Sequence, residues 1–77
     1  MRLFRDEVYA LIAGAKGDAP ASREEQTNAR KVYNEFLDLL TEELQREAPG
    51  DLSITRESVR VAIERAYHDY RILQKPA

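Results

Sequence analysis

The sequence predicts an all-α fold, a small antiparallel three-helix bundle spanning residues 1–77 as a single helical domain. Three observations predict it. Apolar residues recur every three to four positions in three segments. Helix breakers gather in two places between those segments, Gly17-Asp18-Ala19-Pro20-Ala21 and Pro49-Gly50-Asp51. The segment edges carry residues that start and stop helices.

The first helix is expected over about residues 3–16. Phe4, Val8, Leu11, Ile12 and Ala15 fall on one stripe. Gly14 weakens the helix by about 1 kcal/mol relative to alanine, so it marks a close approach by another helix. Lys16 followed by Gly17 reads as a last-turn cation and a left-handed cap.

The second helix is expected over residues 23–47, about 37 Å at 1.5 Å per residue. Ser22 and Glu25 have the spacing of a capping box, in which each side chain takes the other residue's amide. Ala29, Val32, Tyr33, Phe36, Leu37, Leu40 and Leu44 form a continuous apolar stripe, with Leu39 beside it. The first turns, residues 23–28, have no apolar face and should be solvated or project past the core.

The third helix is expected over residues 56–74, with Thr55 as its N-cap. Val59, Ile63, Ala66, Tyr70 and Leu73 make its stripe, widened by Ala62 and Tyr67. Pro76 should stop it, because the residue before a proline avoids the helical region. Leu52 and Ile54, in the loop before it, are expected to plug the bottom of the core.

A domain of 77 residues buries only roughly 60% of its unfolded surface. It has no cysteine, so no disulfide can staple it. Stability must come from helix packing or from self-association, and a homodimer would use the Ala29, Val32, Phe36, Leu40 and Leu44 face of the second helix.

Composition narrows the function. Without cysteine and with His68 as the one histidine, the chain offers no thiolate and no His-based zinc site, so neither metal nor cofactor is expected. The glycines Gly14, Gly17 and Gly50 have the wrong spacing for a phosphate loop. Glu24-Glu25 and Glu42-Glu43 are neighbours that point about 100° apart on a helix, so they read as solvated faces rather than shared-proton pairs. These readings argue against an enzyme. A net charge of −2 argues against a nucleic-acid binder working by bulk charge. The turn before the third helix is too long for a helix-turn-helix, and Glu57, Glu64 and Asp69 would repel phosphate. No apolar run approaches a membrane span, and charges occupy the N-terminus where a signal peptide needs an apolar core, so a cytoplasmic location is expected.

The remaining class is a binding protein: an inhibitor, adaptor or regulator docked on a larger protein, as phage- and plasmid-encoded antagonists of this size often are. Tyrosine and arginine are enriched at binding hot spots. The chain has Tyr9, Tyr33, Tyr67 and Tyr70, more phenols than three short helices should bury. Tyr67, Arg60 and Arg71 make the expected contact patch, with Tyr9 off the centre of the first stripe as a further candidate. His68 has Glu64 one turn before it and Arg71 nearly one turn after, which makes it a pH-tunable contact residue or an ordinary exposed histidine. The polar start of the second helix is the alternative contact face. Residues 22–48 carry four cations and seven anions, and residues 55–77 five cations and three anions. The two helices are therefore complementary to each other first, and to an outside partner second.

The order Glu7-Val8-Tyr9, Lys31-Val32-Tyr33 and Ala66-Tyr67, each patch on a different helix, is similar to class IIa bacteriocin immunity proteins. That resemblance implies an antiparallel helical bundle protecting a producer cell. It also implies a fourth helix, for which this sequence has no segment.

Overall fold

The chain is all-α in a computed structural model that describes residues 4–74. Three helices follow one another: α1 (Arg5–Lys16), α2 (Arg23–Glu47) and α3 (Arg56–Gln74). Leu3, the expected start of the first helix, and Pro76, its expected counterpart at the end of the third, lie outside the described residues. The chain divides into two compact units, Met1–Phe36 and Leu37–Ala77. Helix α2 contributes residues 23–36 to the first and residues 37–47 to the second.

In the first unit, Phe4 has extended backbone angles and caps α1 without a side-chain bond, and its ring is 70% exposed. Acidic Asp6 and Glu7 sit in the first turn and Lys16 in the last, which suits the helix dipole. The end of α1 leaves carbonyls that need donors. Gly17, at φ 77°, turns the chain so that the Asp18 N–H reaches the Ala13 carbonyl (2.9 Å) and the Gly17 N–H reaches that of Gly14 (3.3 Å). This is the Schellman pattern, and it requires the left-handed conformation that glycine adopts without a Cβ penalty. Arg30 of α2 donates Nε to the Ala15 carbonyl at 3.1 Å, placing a cation at the negative end of α1. A Cβ added at Gly14 would lie 3.1 Å from the Ala29 Cβ, so the expected close approach is real and α2 is what approaches. Val8, Ile12, Ala15 and Tyr33 are buried in this unit.

The start of α2 is the capping box expected. The Glu25 N–H donates to Ser22 Oγ (3.1 Å), and the Ser22 N–H donates back to Glu25 Oε1 (3.2 Å). Residues 23–28 are exposed apart from half-buried Gln26.

In the second unit, Leu37, Thr41, Val59 and Tyr67 are buried. Thr41 is polar, yet its hydroxyl donates to the Leu37 carbonyl at 2.7 Å and so enters the interior satisfied. The loop into α3 is held by short-range polar bonds. Asp51 Oδ1 accepts from the Ser53 N–H (2.9 Å) and hydroxyl (2.6 Å), and Gln45 Nε2 donates to the Ile54 carbonyl (2.9 Å). Thr55 caps α3 as expected, its Oγ1 accepting from the Ser58 N–H (3.1 Å). Ser58 Oγ accepts from the Thr55 N–H in return (2.9 Å), a serine doing the work of the usual glutamate. Arg56 Nε donates to Asp38 Oδ1 at 2.7 Å, tying the start of α3 to α2.

Three packing expectations are corrected. Phe4, placed on the α1 stripe, is the residue before the helix and is exposed. Leu52 does not plug the core: it is 90% exposed, while Ile54 is half-buried. The Asp51–Ser53 turn closes through its own polar bonds and carries Leu52 on its outer side. The α3 stripe is also narrower than its periodicity suggests. Ala62 and Ala66 are exposed, and Leu73 is 82% exposed, whereas Val59 and Tyr67 are buried and Ile63 is half-buried. The buried row runs 59, 63, 67 along the i+4 ridge of the helix, with half-buried Tyr70 at its end, while 66 and 73 stay exposed.

Candidate functional site

Of the residues proposed from sequence, Arg60, Tyr67, His68 and Arg71 lie on α3, and Tyr9 lies on α1 in the other unit. Tyr67 is 5% exposed, so its ring belongs to the interior and not to an open patch. The Arg71 guanidinium carbon lies 5.8 Å from the centre of that ring, a cation–π distance, and covers it from outside. Arg60 is engaged along its own helix. Its Nε lies 3.1 Å from Glu57 Oε2, a second nitrogen bonds Glu57 Oε1, and Nη1 lies 3.3 Å from Glu64 Oε2. The hydrogen bond from Arg60, and then its charge, hold the Glu57 carboxyl below its ordinary value of 4.5, while Glu57 foremost raises Arg60. This i−3, i, i+4 ladder occupies the guanidinium and takes up Glu64, the carboxylate that sequence spacing had placed beside His68. His68 is exposed and Tyr9 is half-buried. On the α2 face considered for a homodimer, Ala29, Phe36, Leu40 and Leu44 are half-buried in the chain itself, and Val32 is 37% exposed.

The feature that sequence reasoning missed is an open apolar groove of about 390 Å³ in the second unit. Leu40 and Leu44 of α2, Ile54 of the loop, and Val59, Ala62 and Ile63 of α3 line it. Its polar lining is Ser53 and Ser58, and both hydroxyls are committed: Ser53 Oγ donates to Asp51, and Ser58 Oγ donates to the Ser53 carbonyl at 2.8 Å. The groove therefore presents mostly hydrocarbon, and both lining hydroxyls already donate their protons inside the chain. Exposed Leu52 adjoins Ser53 at one end in sequence, and Ala66 and Leu73 continue the Ala62 stripe along α3 at i+4 and i+11. The available signal was the width of the α3 stripe, which carries more apolar positions than one neighbouring helix can cover.

Among the described residues, seven large apolar side chains are exposed (Phe4, Val32, Leu39, Leu52, Val61, Ile72 and Leu73), as many as the apolar residues that are buried. Among the described residues, no group of three or more His, Cys, Asp or Glu could hold a metal ion, and no helix is long and apolar enough to cross a membrane. No family model, no curated protein and no solved structure matches this chain.

Proposed function

We propose that this chain is a small non-catalytic protein-binding module that acts as an inhibitor, adaptor or regulator by docking the second unit on a larger protein. The observation that carries this reading is the groove between the second half of α2 and the first half of α3, together with the apolar stripe that extends from it. Small-molecule pockets combine an apolar lining with a few convergent polar groups that fix orientation. Here the two lining hydroxyls are already used inside the chain. A continuous apolar surface of this kind suits a protein surface that supplies its own side chains. The contact face thus moves from Tyr67 and Arg60 to the opposite flank of α3. Arg71, stacked on Tyr67, stays with that first flank, and His68 is exposed.

Affinity capture from host extract tests the reading, with the captured protein identified by mass spectrometry. Ala62→Glu places a carboxylate in the groove wall at an exposed position. A partner held by the native chain and lost with Ala62→Glu, at unchanged melting temperature, supports docking at the groove. A partner held equally by both chains contradicts it, and Arg71→Ala then asks whether the Arg71 face carries the contact.

A further inference from the structure

We infer that the groove of the second unit receives an amphipathic helix whose apolar stripe is flanked by lysine or arginine. This rests on the protein-binding reading above and specifies the chemistry of the partner. Leu40, Glu43, Leu44 and Glu47 recur at i, i+3, i+4 and i+7, so two carboxylates share the helix face that supplies the α2 wall of the groove. Both are exposed, and neither carboxylate makes an ion pair or hydrogen bond among the described residues. Like charges at i, i+4 disfavour the helix that carries them, so this pair is an arrangement that an incoming cation would relieve. Of the carboxylates near α3, Asp38 is used by Arg56, and Glu57 and Glu64 by Arg60. On the α3 side, Arg65 and Asp69 follow Ala62 at i+3 and i+7 and offset each other; on α2, Arg46 at i+3 from Glu43 offsets one of the two carboxylates, so the rim stays net acidic.

That sign selects among occupants. Nucleic acid would be repelled. A second copy of the chain, docked groove to groove, would bring two rims of the same sign together. A strand has no sheet edge here to extend, because all regular structure among the described residues is helical. A helix with apolar anchors at i, i+3, i+4 and i+7 fits the lining, and cations beside its stripe meet Glu43 and Glu47.

Synthetic helical peptides of 18 residues provide the probe. One carries a leucine stripe flanked by lysines, a second the same stripe flanked by glutamates, and a third the lysines with serine in place of leucine. A single tryptophan in each peptide reports binding, since the protein has none. At low salt the lysine–leucine peptide should bind at least tenfold more tightly than the glutamate–leucine peptide. That ratio should fall below threefold in Glu43→Gln/Glu47→Gln and persist in Glu24→Gln/Glu35→Gln, which removes the same charge elsewhere. Ala62→Asp and its uncharged counterpart Ala62→Gln should both abolish binding while keeping the native melting temperature. Equal affinity for the two leucine peptides, both lost with Ala62→Gln, would overturn the acidic-rim inference and leave the groove reading standing. Peptide binding indifferent to both Ala62 variants would overturn the two together. Equal binding of the serine-stripe peptide would reduce the effect to bulk charge and overturn the inference. So would a concentration-dependent dimer in sedimentation that Ala62→Gln abolishes, since the occupant would then be a second copy.

Discussion

Gly17 shows how much a single residue can fix. Its φ of 77° brings two backbone donors onto the last carbonyls of α1, and an added Cβ would also lie 3.2 Å from the Gln26 amide nitrogen. Gly17→Ala should therefore lower stability by about 1–2 kcal/mol, read by urea unfolding, because an L side chain is strained in the left-handed region. Gly14 acts through space. Alanine there would gain helix propensity and press on Ala29, but valine exceeds the gap, so Gly14→Val should lower stability by about 1–3 kcal/mol through overpacking. An equal or higher urea midpoint for Gly14→Val would contradict the close approach of α1 and α2. Both glycines were legible in the sequence, one from its place after Lys16 and one from its place inside a helical stripe. The environment of Tyr67 was not, because a phenol suits a boundary or a core equally well and only the neighbouring chain decides.

At the scale of elements, the helix ends were the most readable part. Ser22 with Glu25 and the threonine at 55 announced their caps because hydroxyl and carboxylate groups compete for backbone donors at fixed spacing. Ser58 was missed, since serine at that position is an uncommon reciprocal partner. The stripes were readable in direction but not in width. In α2 the buried row is Tyr33, Leu37 and Thr41, and in α3 Val59 and Tyr67 flank half-buried Ile63, each spaced by four. Hydropathy could not find Thr41, whose burial depends on a bond to the Leu37 carbonyl. The loops and caps also give stability a pH dependence. The Ser22 N–H first, and its hydroxyl second, hold Glu25 below its ordinary 4.5; the Ser53 hydroxyl and then its N–H hold Asp51 below its ordinary 3.8; and Arg60 holds Glu57 down. A carboxyl whose folded value is depressed stabilises the fold fully above its unfolded value, and that contribution is lost as pH falls through the folded value. The melting temperature should thus decline as pH drops below about 4.5, and Glu25→Gln should flatten part of that decline. A melting temperature independent of pH between 5 and 2.5 would contradict these bonds.

For the whole molecule, the all-α class and the three helices were written in the spacing of apolar residues, whereas the division into units at Phe36 and Leu37 was not. A 25-residue helix without an internal breaker gives no local sign of where one set of contacts ends and another begins. Burial then separates residues that hydropathy treats alike. Leu37 is fully buried, and Leu37→Ala should lower stability by about 2–5 kcal/mol. Leu52 is 90% exposed, and Leu52→Ala should change stability by less than about 0.5 kcal/mol. A loss at Leu52 as large as that at Leu37 would restore it as a core plug. In the proposed reading, the exposed hydrocarbon on the second unit is the surface that docks on a partner. Methyl NMR of the chain, free and with its captured partner, tests that most directly. Docking at the groove predicts shifts concentrated at the methyls of Leu44, Ile54, Ala62 and Ile63, with those of Val8 and Ile12 unmoved. Shifts at Val8 and Ile12 with the groove methyls unchanged would contradict it.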